Sequence, residues 1–285
     1  MELIDQSHKI WGISPSTYDE AMLWVERAAR TCYASTDKIK PGSAEKLINS
    51  IMSNDPPHSS VLEHVSIYAI WEGRQSRLHE DLMRERLNSR WLTRIPNIGL
   101  DGLEVFGNLR AWMERLNLNH PKKVYQWLSN SSFKLLSSDV VPEYAKRITV
   151  ELTTDRAILA ELSRHRDDVG LSVESQRYVN YDDGITFIKP SWYQGLESTL
   201  VGAEFWESCA ECERDYQKLR SSGLSPQHAR TVLNSQVKTT IVMSAYLPEW
   251  KWIFKLRTGA GAYPQMIKLI RGVETEITSA AYYRI

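Results

Sequence analysis

The stretch LSRHRDDVGLSVESQRYVNY, Leu162 to Tyr181, places Arg164, His165 and Arg166 ahead of Ser175 with eight residues between Arg166 and the serine, and Glu174, Gln176, Arg177 and Tyr178 around it. Just upstream, RITVELTTD alternates Ile148, Val150 and Leu152 with Arg147, Thr149 and Glu151, which predicts a strand with one apolar face. Thr154 or Asp155 is placed to cap the helix that follows. Ile158, Leu159 and Leu162 form the apolar stripe of that helix, and extending the stripe by one turn predicts His165 and Arg166 facing inward.

Working outward, helices are expected over 17–30 and 43–53, the second ending at Asn54-Asp55-Pro56-Pro57. HSSVLEHVSIYAIWEG follows, with Val65, Ile67, Ala69 and Trp71 alternating as a strand would and Gly73 closing it. From about 74 to 142 the pattern reads as an inserted helical layer, with Leu109, Trp112, Met113 and Leu116 on one face of GNLRAWMERL. GITFIKPSW predicts a further strand, 202–220 a helix stopped by Gly223, and Ser225-Pro226 a restart through HARTVL. The β-branched run TTIVMSAYL precedes PEWKWIFKLRT, in which Trp250, Ile253, Phe254 and Arg257 share one helical face. Arg257 stands where a leucine is expected.

At 285 residues the chain is long enough for a substantial core, and 35 basic against 35 acidic residues leave no global field for nucleic acid or a membrane surface. Any anion site must be local. The sequence has no apolar run of about 18 residues, and MELIDQSHKIWG has no apolar leader segment, so a cytoplasmic, non-membrane protein is expected. Cys209 and Cys212 spell CAEC, yet Phe205, Cys209, Cys212, Tyr216 and Leu219 keep helical spacing, which predicts core cysteines rather than a metal site.

An arginine on an apolar stripe needs an anion, because a buried unpaired guanidinium costs several kcal/mol. Arg166 and Arg257 are of this kind, and Arg164, Arg177 and Arg230 add planar forks suited to phosphate oxygens. A phosphorylated ligand is one reading; ion pairing with Glu161, Asp168 or Glu174 is the other. Ser175 lacks a nucleophile elbow and Cys32 lacks a neighbouring base, so covalent catalysis by either has no local support. The chain has no glycine-rich dinucleotide or triphosphate loop, so a bound dinucleotide must be held by side chains.

RHRDDVGLSVESQRY resembles the signature of the flavin-dependent thymidylate synthases, an Arg-His-Arg triplet followed by Ser-x-Arg-Tyr, here in the longer eight-residue spacing. HSSVLEH, AARTCY, ITFIKPSW, SPQHARTVLNSQVKTTIVMSAYLPEW and FKLRT resemble the family's other blocks in order. The resemblance implies a single α+β domain over 1–285, with helices on a largely antiparallel sheet and a helical insertion at about 74–142. It also implies a homotetramer with active sites between subunits. The implied reaction is reductive methylation of dUMP at C5, with FAD as cofactor and methylenetetrahydrofolate and NADPH as cosubstrates.

Carried over by position, Arg164, His165 and Arg166 would hold FAD, with Ser60 and Glu63 near its other end. Glu161, Arg164, Glu174, Ser175, Gln176, Arg177 and Arg230 would hold the nucleotide. Arg257 would stabilise the ionised pyrimidine and activate C5. The chain departs from the family at Tyr246, Leu247 and Pro248, where Asn, any residue and often Arg stand, at Tyr263 in place of a histidine, and at Val173. Competing readings are C5 methylation or hydroxymethylation of UMP or dCMP, and a silent nucleotide-binding homologue.

Overall fold

The computed structural model describes residues 1–71, 92–96 and 103–280, with backbone alone at 71, 92–96, 103 and 104. Strands β1 (Glu2–Ile4) and β2 (Ser7–Ile13) lead into helices α1 (Tyr18–Thr31) and α2 (Ser43–Met52). Strands β3 (Ser66–Trp71), β4 (Leu92–Pro96) and β5 (Leu103–Asn108) come next, followed by helices α3 (Leu109–Arg115) and α4 (Pro121–Ser129) and strand β6 (Phe133–Leu135). Strand β7 (Arg147–Asp155), helix α5 (Arg156–Leu162) and strands β8 (Gly170–Val173) and β9 (Thr186–Ile188) carry the motif region. Helices α6 (Leu200–Ser221) and α7 (Pro226–Ala229), strand β10 (Lys238–Tyr246) and helices α8 (Leu247–Arg257) and α9 (Pro264–Ser279) follow.

The order of the first four-stranded sheet is β2-β7-β10-β8, with every neighbour antiparallel. This is the largely antiparallel α+β arrangement expected. One face is apolar: Ile148, Val150 and Leu152 pack with Ile241 and Met243 beneath Ile158 and Leu162 of α5, Trp250 and Ile253 of α8, and Ile270 and Val273 of α9. The opposite face is covered as well, so Arg147 and Thr149 are both fully buried. Strand β7 is therefore not the half-exposed strand its alternation predicts. Its polar side chains find partners instead of water, as in the Trp24 Nε1 bond to Thr149 Oγ1 (3.1 Å) and the Arg27–Glu151 ion pair (2.8 Å).

The stretch at about 74–142 is corrected by the structure. Its described part holds strands β4, β5 and β6 as well as α3 and α4, and β4-β5-β3-β6 form a second antiparallel sheet. The expected strand after LEH is thus the centre of this sheet, paired with β5 from Ser66↔Asn108 to Trp71↔Leu103. Helical spacing in GNLRAWMERL is real but local: Asn108 Oδ1 accepts from Ala111 N (2.9 Å), starting a helix of only two turns. The inserted sheet shares its apolar layer with α1 and α2, through Ile67, Ala69 and Val105 against Met22, Val25 and Ile48. The parts of that expectation at 74–91 and 97–102, and the strand stop expected at Gly73, lie outside the described residues.

Other boundaries follow local chemistry. Thr199 caps α6 by accepting from Gly202 N (3.2 Å), and Gly223 ends the region with φ +88, in the left-handed range glycine tolerates. Cys209 and Cys212 point into a cluster with Tyr181, Phe187 and Tyr216, as core cysteines. No helix among the described residues is long and apolar enough to cross a membrane.

Candidate functional site

Asp155 closes β7 and caps α5, its Oδ1 accepting from Ile158 N at 2.8 Å, while its other oxygen accepts from buried Gln265 Nε2. This fixes where α5 begins. The helix then stops at Leu162, earlier than its stripe suggested. Only His165 turns inward, at 8 % exposure, and Arg164 and Arg166 are exposed. The inward placement of Arg166 is thus corrected, because a stripe read at 3.6 residues per turn has no force once the helix has ended.

Arg257, at the end of α8, reaches this helix end and uses its whole fork there. Its Nη1 donates to Glu161 Oε2 (2.8 Å), Nη2 to the Glu161 carbonyl (2.7 Å) and Nε to His165 Nε2 (3.0 Å). The ion-pair reading therefore holds for Arg257 and Glu161. His165 is neutral by preference, since burial and then the Arg257 charge lower its proton affinity. Its other nitrogen, Nδ1, lies 3.4 Å from Glu249 Oε1. Glu249 is pushed up to about 7 by burial, with Asp167 and Asp168 adding to the shift. These three carboxylates line a hollow of about 280 Å³ with Phe106, Tyr144, Tyr246 and Pro248, at the seam between the inserted sheet and the motif loop.

The Ser175 turn stands on β8. Glu174 N donates to the Thr240 carbonyl (2.9 Å), and its carboxylate, 3 % exposed, accepts from Lys238 Nζ (2.6 Å) and Thr240 Oγ1 (3.1 Å). Glu174 thus supports the turn from beneath. Ser175 N donates to the Cys32 carbonyl (2.9 Å), which ties AARTCY to the turn, and Ser175 Oγ accepts from Arg177 N (3.3 Å). Gln176 Nε2 is buried with no partner among the described residues. Arg177 is exposed, its guanidinium 5.3 Å from the Tyr178 ring, and Tyr178 packs on Tyr33 at 4.9 Å.

The LEH block is locked in place by His64. Its Nδ1 lies 2.7 Å from Ser244 Oγ and its Nε2 2.9 Å from Ser172 Oγ, joining the 3-10 turn Ser59–His64 to both β10 and β8. Glu63 pairs with Arg110 of α3 (2.7 Å), and Ser60 is exposed. Arg147, which sequence reasoning set on a polar strand face, is the hidden link. Its Nε donates to the Glu63 carbonyl (2.9 Å), its Nη1 to the Asp168 carbonyl (2.7 Å), and its guanidinium lies 4.9 Å over the Tyr246 ring.

The structure thus joins Glu161, His165 and Arg257 directly, and binds Glu63 to the motif loop through Arg147. Arg230 lies apart at the end of α7, and Arg177 shares no hydrogen bond with the Arg257 group among the described residues. Arg147 and Glu249 were missed by sequence reasoning, and His64 stood there only as part of the HSSVLEH block.

A family model described as thymidylate synthase complementing protein matches residues 16–93 and 141–281. The chain belongs to the flavin-dependent thymidylate synthase family. Between the two matched segments, the described residues of 94–140 include β5, α3, α4 and β6. A flavin-dependent thymidylate synthase from Haloarcula marismortui is 29 % identical over 143 residues, covering 42 % of this chain and 58 % of that protein. The chain therefore matches less than two thirds of that relative's length. Among solved structures, the UMP/dUMP methylase PolB from Streptomyces cacaoi is similar in its complexes with 5-Br dUMP (16 % identity, 98 % of this chain and 93 % of that one) and 5-Br UMP (15 %, 98 % and 92 %). The TM-score is 0.45 for both.

The leftover donors fit an anionic group such as the flavin nucleotide this family's name implies. Arg164, Arg166 and Arg230 have no ion pair or side-chain hydrogen bond among the described residues, and Gln176 keeps a buried N–H₂ without an acceptor. No group of three or more His, Cys, Asp or Glu among the described residues is arranged to hold a metal.

Proposed function

We propose that this protein catalyses FAD-dependent reductive methylation of dUMP at C5, giving dTMP, with methylenetetrahydrofolate as carbon donor and NADPH as reductant. The observation that carries the reading is the family match combined with guanidinium and amide donors left without internal acceptors at the family's nucleotide positions. Bound FAD would supply the hydride and the relay of the one-carbon unit. Arg164 and Arg166 would meet its phosphates. Arg177 and Arg230 would hold the dUMP phosphate, and Ser175 and Gln176 the edge of the nucleotide. Copies of the chain, four in the family's arrangement, would bring Arg177 and Arg230 to the Arg257 group.

Arg257 would do the electrostatic work. Glu161 fixes its fork at 2.8 and 2.7 Å, so it needs little reorganisation to stabilise negative charge on the pyrimidine ring, which makes C5 the nucleophile. A protein nucleophile is not required, and the thiols are poor candidates for one. Burial raises Cys32 and Cys212 and pushes Cys209 up to about 12, keeping all three protonated near neutrality.

The test is a product assay on dUMP, UMP and dCMP with methylenetetrahydrofolate, FAD and NADPH, read by mass spectrometry beside the visible flavin spectrum. A yellow protein that bleaches with NADPH and yields a product one methyl group heavier than dUMP supports the reading. Preferred turnover of UMP or dCMP, or a hydroxymethyl product, replaces the substrate assignment. Protein that binds no flavin and turns over none of the three is a silent homologue.

A further inference from the structure

We propose that Glu249 is a positioning residue: by accepting the Nδ1 proton of His165 it fixes the imidazole in the tautomer whose Nε2 receives Arg257. The inference rests on the reading of Arg257 as the group that meets the pyrimidine. Its starting point is a donor count. Arg257 Nε lies 3.0 Å from His165 Nε2, and a guanidinium offers only donors and does not deprotonate. Nε2 must therefore present its lone pair, and the one proton of the neutral ring sits on Nδ1. That nitrogen lies 3.4 Å from Glu249 Oε1, longer than a formed hydrogen bond and a distance that a small turn of the carboxylate closes. At 8 % exposure, His165 has little water to serve it instead.

The consequence reaches Arg257 because the other two contacts of its fork both end on one residue, Glu161. A fork held at one residue can pivot; the His165 contact removes that freedom. Glu249 lies in the first turn of α8 and Arg257 at its end, so the ring bridges the two ends of one helix. The groups around Glu249 are accounted for. Asp167 and Asp168 face it from the motif loop across the hollow, Arg147 lies behind Tyr246, and Lys251 on the same helix pairs with Glu143 at 2.8 Å. Burial, with the two neighbouring carboxylates adding to it, makes Glu249 take up a proton at a higher pH than an ordinary glutamate. As pH falls through that range, the acceptor for Nδ1–H weakens and Arg257 loses its third anchor.

Histidine side-chain ¹⁵N NMR on the protein as purified tests this without turnover, with the His165 signal assigned by its loss in His165→Gln. The expected result near pH 8 is the Nδ1–H tautomer in the wild type and in Glu249→Gln, whose amide oxygen still accepts. In Glu249→Ala the Nε2–H form gains population. In the dUMP assay, Glu249→Ala is expected to lower kcat about 10-fold with KM nearly unchanged, the scale of one lost hydrogen bond. Glu249→Gln should restore most of the rate and abolish the acid limb near neutral pH. An Nε2–H tautomer in the wild type, or the same tautomer in wild type and Glu249→Ala, would overturn the proposal. So would equal rate losses in both variants with an unchanged pH profile. The tautomer readout stands even if dUMP proves not to be the substrate, and Glu249→Leu, which also offers no acceptor, takes the place of the alanine variant if that does not fold.

Discussion

Replacing His64 with Asn should make stability less sensitive to acid, and the size of the effect follows from the site. His64 is fully buried between Ser244 Oγ at 2.7 Å and Ser172 Oγ at 2.9 Å, and burial, then the Arg147 charge, lower its pKa from 6.5 to about 3. The folded protein therefore refuses a proton that the unfolded chain accepts below 6.5, so stability falls as the medium is acidified through that value. Between about pH 7.5 and about pH 5 this one group should cost the wild type about 2 kcal/mol, from roughly 1.4 kcal/mol per pH unit below the unfolded pKa. Near pH 7.5 the variant should be less stable by about 2–4 kcal/mol, because two buried hydroxyls lose a partner. Urea unfolding followed by tryptophan fluorescence, repeated at both pH values, measures the gap between variant and wild type. The gap should shrink by about 2 kcal/mol at the acid end, since other titrating groups are common to both proteins. A gap that stays constant within about 0.5 kcal/mol would refute a neutral, proton-refusing His64.

Gly170→Ala should cost about 1–3 kcal/mol in the same unfolding assay, since its Cβ would stand 3.0 Å from the Glu63 carbonyl oxygen and 3.2 Å from Arg147 Nη2. It should also reduce retained FAD, by prising the LEH turn from β8. Gly202→Ala should be more damaging still, because a Cβ there would collide with the Leu196 carbonyl oxygen, and soluble yield together with melting temperature will show it. Arg257→Lys keeps the charge but loses the fork held by Glu161, so turnover should fall about 100-fold while the flavin absorbance remains.

Much of the fold could be read in advance where one local rule dominates. Strands β7 and β10 announce themselves by alternation and β-branching, Asp155 by its place between strand and helix, and the end of α6 by Gly223. Strand β8 was hidden because four residues in a polar motif have no period to detect, and β2 because its register shifts between Ile10 and Gly12. The inserted sheet was read as helical because the clear period in α3 was extended across neighbours whose pairing is long-range, such as Tyr68↔Phe106. At the site, family blocks marked Glu161, His165 and Arg257, and the structure joined them by direct hydrogen bonds. What no period or block could show is burial on both faces of one strand. That is what turns Arg147 into a link between the LEH turn and the motif loop.

The claim that the unpaired arginines serve a nucleotide phosphate is tested most directly by calorimetric titration of dUMP and of deoxyuridine into the wild type, Arg177→Ala and Arg230→Ala. The account predicts that wild type binds dUMP at least about 100-fold more tightly than deoxyuridine, the scale of a charge-assisted, forked contact, and that either substitution removes most of that preference. Deoxyuridine binding as tightly as dUMP, or a preference untouched by both substitutions, would contradict it.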